Sequence, residues 1–328
     1  MYKNLALKGG GVKGIAYVGA LYELDKRGCY RTLERVSGTS AGALVALMVA
    51  LQLSPSQIEE LMKSLNFNDF KSGWNPFRIF SKYGLYSGDV ILKFIDKCYQ
   101  ISGLNINKNT TFKEFVEAGG KDIIVFASNL NEQNINEFSS HQTPDCILAE
   151  AVRASMSIPL FFKSWKFSNG IPNDHIYVDG GVMFNYPLSF FDKPRFHEGG
   201  VVKVEDSIGL FLEPKKFYEM EAPSPLENQQ EHISTTRRII NKLKHITSFG
   251  HNQSIFKYTK LLFGSLMNSQ DIELFEEIHL TTRTIFIDDL GISATKFNLT
   301  HQDKENLMIA GRVGAERYFD FIESKENN

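Results

Sequence analysis

The 328-residue chain reads as an α/β fold with a mostly parallel central sheet. Short apolar strands alternate with segments of helical period, and glycine-rich turns join them at the strand ends. The run Lys121-Asp122-Ile123-Ile124-Val125-Phe126-Ala127-Ser128 is β-branched and apolar without alternation, as a parallel strand buried on both faces requires. The length suits one large α/β domain or two small ones. With no internal repeat and no low-complexity linker, the simplest division is a core over residues 1–214 and a helical extension with a returning strand over 215–328, within one globule.

Asn4 to Leu7 forms the first strand and runs directly into Lys8-Gly9-Gly10-Gly11-Val12-Lys13-Gly14. Ile15, Val18, Leu21, Tyr22 and Leu24 then recur at helical spacing as far as Arg27, and Gly28 ends that helix. A second strand, about Leu33 to Ser37, leads to Gly38-Thr39-Ser40-Ala41-Gly42 and a helix-compatible segment from Ala43 to Leu51. Ser54-Pro55-Ser56-Gln57 supplies a cap and a first-turn proline for a helix to about Leu65. Asn66 to Ser87 is aromatic but aperiodic, carrying Phe67, Phe70, Trp74, Phe77, Phe80, Tyr83 and Tyr86. It reads as an ordered loop with short helical turns, whose rings either pack on the core or form a lid or lipid-facing rim.

Ser87 is expected to cap a helix through about Tyr99, and Thr111-Phe112-Lys113-Glu114 is a capping box for another. After the buried strand, Glu137-Phe138 belongs to a second strand or an edge, and Ile147 to Met156 is a helix stopped by Ser157-Ile158-Pro159. Ile176-Tyr177-Val178 is a strand ending in Asp179-Gly180-Gly181, and Ser207 to Leu212 is another. Lys215 to Leu226 reads as an inserted loop, and Ile233 to Leu280 as two or three helices. Within them, the basic face of Arg237 to Lys244 is either solvated or laid on an anionic membrane. Thr284 to Ile287 is the last strand; Thr300-His301-Gln302-Asp303 caps a closing helix to about Ile322, with a fraying tail beyond.

Thirty-six Lys and Arg against 38 Asp and Glu give a net charge of −2, which argues against nucleic acid as the main partner, since phosphate binding relies on a clustered basic surface. Cys29, Cys98 and Cys146 are scattered, odd in number and without metal-ligand spacing, so they read as reduced thiols. The N-terminus enters a strand without a signal-peptide h-region, and no apolar run is long enough to span a bilayer. The expectation is a soluble, cytoplasmic chain, with export lacking a cleaved signal left open.

Gly38-Thr39-Ser40-Ala41-Gly42 has the form of a nucleophile elbow, a sharp strand-to-helix turn with a serine at its apex. The following helix aims its N-terminus at Ser40, favouring negative charge there. Gly9, Gly11 and Gly14 fit three readings: a dinucleotide fingerprint, an oxyanion hole, or only a tight βα turn. A P-loop does not fit, because Ile15 stands where Lys is needed. Asp179-Gly180-Gly181 is either a base at a strand end or a turn signal. Taken together, the three motifs supply oxyanion donors, a nucleophile and a base, the parts that acyl transfer requires.

In this combination the sequence resembles the patatin-like phospholipases. The likeness extends through Ala151-Val152-Arg153-Ala154-Ser155-Met156-Ser157-Ile158-Pro159, and through Leu290-Gly291-Ile292-Ser293-Ala294-Thr295 with Phe297. The resemblance implies a three-layer α/β/α fold and a Ser–Asp dyad, with Ser40 as nucleophile and Asp179 as general base, its pKa raised by burial. It implies an oxyanion hole from Gly9, Gly10 and Gly11, joined by Ala41, with Gly14, Gly38, Gly42, Gly180 and Gly181 supporting the motifs. No metal and no cofactor are implied. The implied partner is a phospholipid membrane surface bound peripherally, and a protein activator such as ubiquitin serves some bacterial relatives. Lys8 departs from the smaller or acidic residue that relatives often carry there. His175 falls at the other end of its strand, roughly 13 Å from Asp179, which favours a dyad over a triad. The competing functions are a Rossmann-type oxidoreductase, with Glu34 on the ribose, and a catalytically latent protein of the same fold.

Overall fold

The computed structural model describes residues 2–172, 174–213, 261–262, 264–266, 270 and 278–326. The expected loop at Lys215 to Leu226, the basic face at Arg237 to Lys244 and most of the segment Ile233 to Leu280 lie outside them. Strands and helices follow one another as β1 (Asn4–Leu7), α1 (Tyr17–Lys26), β2 (Arg35–Thr39), α2 (Ala41–Ala50), α3 (Pro55–Ser64), β3 (Gly84–Tyr86), α4 (Asp89–Ser102), α5 (Phe112–Glu117), β4 (Asp122–Asn129) and β5 (Asn134–Phe138), with α2 buried on every side. The chain continues through α6 (Leu148–Ser155), β6 (Leu160–Phe162), β7 (Tyr177–Asp179), β8 (Ser207–Glu213), β9 (Thr284–Asp288) and α7 (His301–Glu326).

The main sheet has the order β5-β4-β2-β1-β8-β9, parallel except for β5. Successive residues of each strand alternate between two apolar clusters. Leu5, Leu7, Ile123, Val125, Ile208, Leu210, Ile285 and Ile287 face the cluster formed by the helices. Ala6, Ile124, Phe126 and Phe211 face Leu188, Phe190, Phe191 and Leu280, so the other face is covered by short 3-10 turns at Ser189–Asp192 and Pro194–Phe196 and by the turn Ile278–Thr281.

Strand β7 decides where the site lies. It pairs antiparallel with β4, Asp179 opposite Ala127, on the edge of β4 that β2 vacates after the Thr39–Phe126 pair. β2 and β7 therefore end against each other, and Ser40 and Asp179 follow from that junction. A strand's direction is a tertiary property, and the alternation of Ile176 to Val178 carries no sign of it.

Four expectations need correction. A 3-10 turn, Gly11–Ala16, precedes α1, which begins at Tyr17 and not Ile15. The cap of α4 is Gly88 and not Ser87, at φ +67°, because the Arg153 guanidinium fills the space a side chain would need. The aromatic segment contains a strand, β3, paired with β6 in a small second sheet. The closing helix runs beyond Ile322 to Glu326, held by ion pairs from Arg27 to Asp320 and Glu323. The capping boxes at Ser54 and Thr111 form as expected.

Helices α1 and α7 cross in backbone contact. A side chain on Gly311 would lie 1.8 Å from the Ala16 carbonyl, and one on Gly19 equally near the Met308 carbonyl. Gly311→Ala is thus expected to push the helices apart and destabilise the protein by about 3 kcal/mol in urea denaturation; a wild-type midpoint would show that the helices do not touch.

Candidate active site

Ser40 sits at φ 55°, ψ −125°, between β2 and α2. The turn is tight enough that a Cβ on Gly38 would lie 2.4 Å from the Gly42 carbonyl, and one on Gly42 would lie 2.3 Å from that of Leu7. Only glycine fits at either position. Ser40 Oγ donates to Asp179 Oδ2 at 2.7 Å, and both residues are buried. Ser40 N–H donates to Ser155 Oγ at 2.9 Å, which locks the strained residue in place.

Asp179 is held on every side. Its Oδ1 accepts from Gly181 N–H at 2.8 Å, its N–H donates to the Ser157 carbonyl at 2.9 Å, and its carbonyl accepts from Ser128 Oγ at 3.0 Å. Burial in a site closed to water lifts its pKa to about 7, against the opposing pull of the Ser40 and Gly181 hydrogen bonds and the Arg153 charge.

Arg153 is the residue whose role the sequence did not disclose, although it lies in the stretch Ala151 to Pro159. It is fully buried on α6, donating from Nη1 to Ser157 Oγ at 2.7 Å and from Nη2 to the Ser87 carbonyl at 2.9 Å. The rings of Phe162 and Trp165 lie 5.3 and 5.4 Å from its guanidinium. Burial lowers its pKa to about 10, so it stays cationic at neutral pH and favours the charged form of Asp179. A lone arginine among Ala149, Val152 and Ala154 on a core-facing helix was the available signal.

The glycine loop differs from expectation at one position. Gly9 N–H donates to the Asn185 carbonyl at 3.0 Å, so it does not point towards Ser40. Those of Gly10, Gly11 and Ala41 meet no acceptor among the described residues, with Ala41 the first residue of α2. Gly11, at φ +58°, presses against the Ala294 carbonyl, which accepts from Val12 N–H at 3.0 Å. Lys13 Nζ is 2.7 Å from Asp289 Oδ2, a second tie between this loop and residues 289–297. Gly14 packs on Ala41, and Gly180 on Thr39 and the Phe126 carbonyl.

Lys8 turns away from the site. Its Nζ donates to the Leu212 carbonyl at 3.2 Å, lies 3.7 Å from Glu213 and sits over the Phe211 ring. His175 pairs its Nδ1 with Asn129 Nδ2 at 3.0 Å beyond the far end of β7, and does not join Ser40 and Asp179.

Ser40 opens into an apolar pocket with about 440 Å³ of empty space including its mouth, walled by Leu44, Met62, Phe67, Phe70, Met156 and Phe297. The aromatic segment splits at this wall. Phe67 and Phe70 are buried there, whereas Trp74, Phe77, Phe80 and Tyr83 are 61%, 78%, 84% and 48% exposed.

A strained serine on a glycine-bounded turn thus lies at the floor of an apolar pocket and is bonded to a buried aspartate, on an α/β fold. Residues 5–192 match the model of the Patatin-like phospholipase family, and the chain belongs to it. It is 27% identical over 312 residues to the uncharacterized protein R571 of Acanthamoeba polyphaga mimivirus, an alignment covering 94% of this chain and 91% of that protein. It is 25% identical over 229 residues to the cUMP-AMP-activated phospholipase of Escherichia coli, covering 64% of this chain and 66% of that one. In fold it is similar to VipD from Legionella pneumophila, with a TM-score of 0.61 at 16% identity over 97% of this chain and 67% of VipD.

The buried acid makes stability depend on pH. Asp179 titrates near 7 in the folded protein and about 3.9 in the unfolded chain, so between those values only the folded state keeps its proton. Wild-type stability falls as pH rises through this window. Asp179→Asn lacks that slope, and relative to wild type it should gain about 4 kcal/mol between pH ~4 and ~8 in urea titrations. Parallel curves would show that the carboxyl is hydrated.

Proposed function

We propose that this chain is a lipid acyl hydrolase of the phospholipase A or lysophospholipase type, acting on glycerophospholipids through a Ser40 acyl-enzyme with Asp179 as base. The family supports lipid hydrolysis, and the observation that carries the finer reading is the 2.7 Å Ser40–Asp179 hydrogen bond at the end of an apolar pocket. Ser40 Oγ attacks the ester carbonyl carbon while its proton passes to Asp179 Oδ2. The oxyanion is met by the N–H groups of Gly10, Gly11 and Ala41, each such donor contributing roughly 3 kcal/mol. Collapse breaks the C–O bond, and Asp179 returns the proton to the departing glycerol oxygen. Water then attacks the Ser40 ester, its proton goes to Asp179 and on to Ser40 Oγ, and a fatty acid leaves. Every step uses the chain's own groups, so activity should persist in a calcium chelator.

The pocket wall takes the acyl chain, and the exposed rings beyond it take the membrane. Trp74, Phe77, Phe80 and Tyr83 follow Phe70 along the chain, with Lys71 and Lys82 exposed among them. Aromatic rings with interleaved lysines suit the interface of an anionic bilayer. Among the described residues no helix is long and apolar enough to cross a membrane, so this reading is of a protein resting on the surface. Phe77→Ser with Phe80→Ser should reduce sedimentation with anionic vesicles at least about fivefold while turnover of a soluble ester is unchanged; equal sedimentation would remove the rim from the account.

Fatty-acid release from phospholipid vesicles tests the chemistry. Ser40→Ala and Asp179→Asn should each lose more than about 10³-fold in kcat, and equal release by all three proteins would sink the assignment. Because the base must be unprotonated, wild-type kcat/KM should rise with pH to a plateau, with its midpoint near the Asp179 pKa of about 7. A chain awaiting an activator, such as the nucleotide in the name of the Escherichia coli relative, would release nothing from vesicles yet still be labelled at Ser40 by a fluorophosphonate.

A further inference from the structure

Asn185 lies six residues beyond Asp179, in the turn that follows Gly180–Val182. Its side chain is fully buried, and among the described residues neither the nitrogen nor the oxygen of its carboxamide has a hydrogen-bond partner. A buried amide with both ends unpaired is rare, because desolvation without a partner opposes folding. The backbone at this position is nonetheless firmly held. Asn185 N–H donates to Gln270 Oε1 at 2.7 Å, and the Asn185 carbonyl accepts from Gly9 N–H at 3.0 Å. Gln270 Nε2 in turn donates to the Gly181 and Val182 carbonyls at 3.0 and 3.2 Å, and Thr39 Oγ1 donates to the Phe184 carbonyl at 2.9 Å. The residue is clamped between the glycine loop, the elbow and the Asp179 turn.

The carboxamide lies against Gly9, close to Ser40. The position that a Cβ on Gly9 would occupy lies 2.4 Å from Asn185 Oδ1 and 3.2 Å from Ser40 Cβ, so the amide and the serine flank one point in space. With no bond fixing its orientation, half a turn of the amide about its last side-chain torsion brings Nδ2 to the place of Oδ1. The backbone carbonyl of Asn185 thus withdraws Gly9 N–H from the site, and the side chain offers an N–H beside it.

Resting on the hydrolase reading above, we propose that Asn185 is a catalytic residue whose Nδ2–H donates to the oxyanion formed when Ser40 attacks the ester. The donor complements Gly10 and Gly11 and stands where Gly9 was expected. A desolvated donor without a partner among the described residues has no hydrogen bond to give up when charge appears in the transition state. No bond other than those already written forms or breaks.

The test compares wild type, Asn185→Ala, Asn185→Leu and Ser40→Ala on p-nitrophenyl butyrate, with thermal melts and the rate of fluorophosphonate labelling at Ser40. Leucine fills the volume of the amide without a donor, which separates the chemistry from a cavity. Both Asn185 variants should lose about 10²-fold in kcat and a similar factor in labelling, with KM within about threefold. The melting temperature should hold or rise, since the lost amide had no partner, and the pH midpoint should not move because the Ser40–Asp179 pair is untouched.

Turnover and labelling within about threefold of wild type in either folded variant would overturn the proposal. So would a collapse of the melting temperature in both, which would make the amide a structural one, or a shifted pH midpoint with the plateau retained. These failures are distinct from that of the hydrolase reading itself, which would appear as wild-type turnover and labelling no greater than those of Ser40→Ala. If wild type labels at Ser40 without turning over, the labelling rates alone decide the role of Asn185.

Discussion

A carboxylate shut away from water beside a serine is the constraint around which this molecule is arranged. Burial pushes the Asp179 proton on, while two hydrogen bonds and the Arg153 guanidinium pull it off, and the balance falls near neutrality. That balance needs a particular place in the sheet. β2 must stop at Thr39 so that β7 can enter the vacated edge of β4 from the opposite direction and stop at Asp179. Were β7 parallel, its last residue would point away from the elbow. The small second sheet, the α4 cap at Gly88 and the rings of Phe162 and Trp165 then serve to enclose Arg153. Much of the architecture on that side of the site is thus the housing of one cation and one anion.

How far the site could be read from sequence follows from what each residue must satisfy. Gly38 and Gly42 were legible because backbone crowds them, and crowding leaves only one residue type. Ser40 and Asp179 were legible because each stands at the end of a strand and has glycine close by, Ser40 between Gly38 and Gly42 and Asp179 before Gly180 and Gly181. The Gly9 reading was inaccurate because which N–H of a loop points inward depends on a carbonyl from 176 residues away, at Asn185. Arg153 sat in plain view, but a charge on a helix normally faces solvent, and only packing shows that this one does not. The aromatic segment defeated periodicity because its rings divide between two environments within a few residues.

The fold was readable to a similar depth. Strands β1, β4, β8 and β9 announce themselves as short apolar runs, since both faces of a parallel sheet are dry. The direction of β7 and the pairing of β3 with β6 depend on partners far along the chain, and no local pattern encodes them. The helix cap at Thr111 needed nothing beyond four consecutive residues, and there the expectation and the structure agree.

The ties between the glycine loop and residues 289–297 bear on where this protein can be cut. The family match ends at residue 192, yet the loop that faces Ser40 rests on the Ala294 carbonyl and is bound through Lys13 to Asp289. Phe297 closes the pocket wall, and β8 and β9 complete the sheet beside β1. A fragment trimmed to the matched region would keep Ser40 and Asp179 but lose the residues on which the glycine loop rests. The stretch that the family model matches and the stretch that holds the glycine loop in place are therefore different lengths of chain.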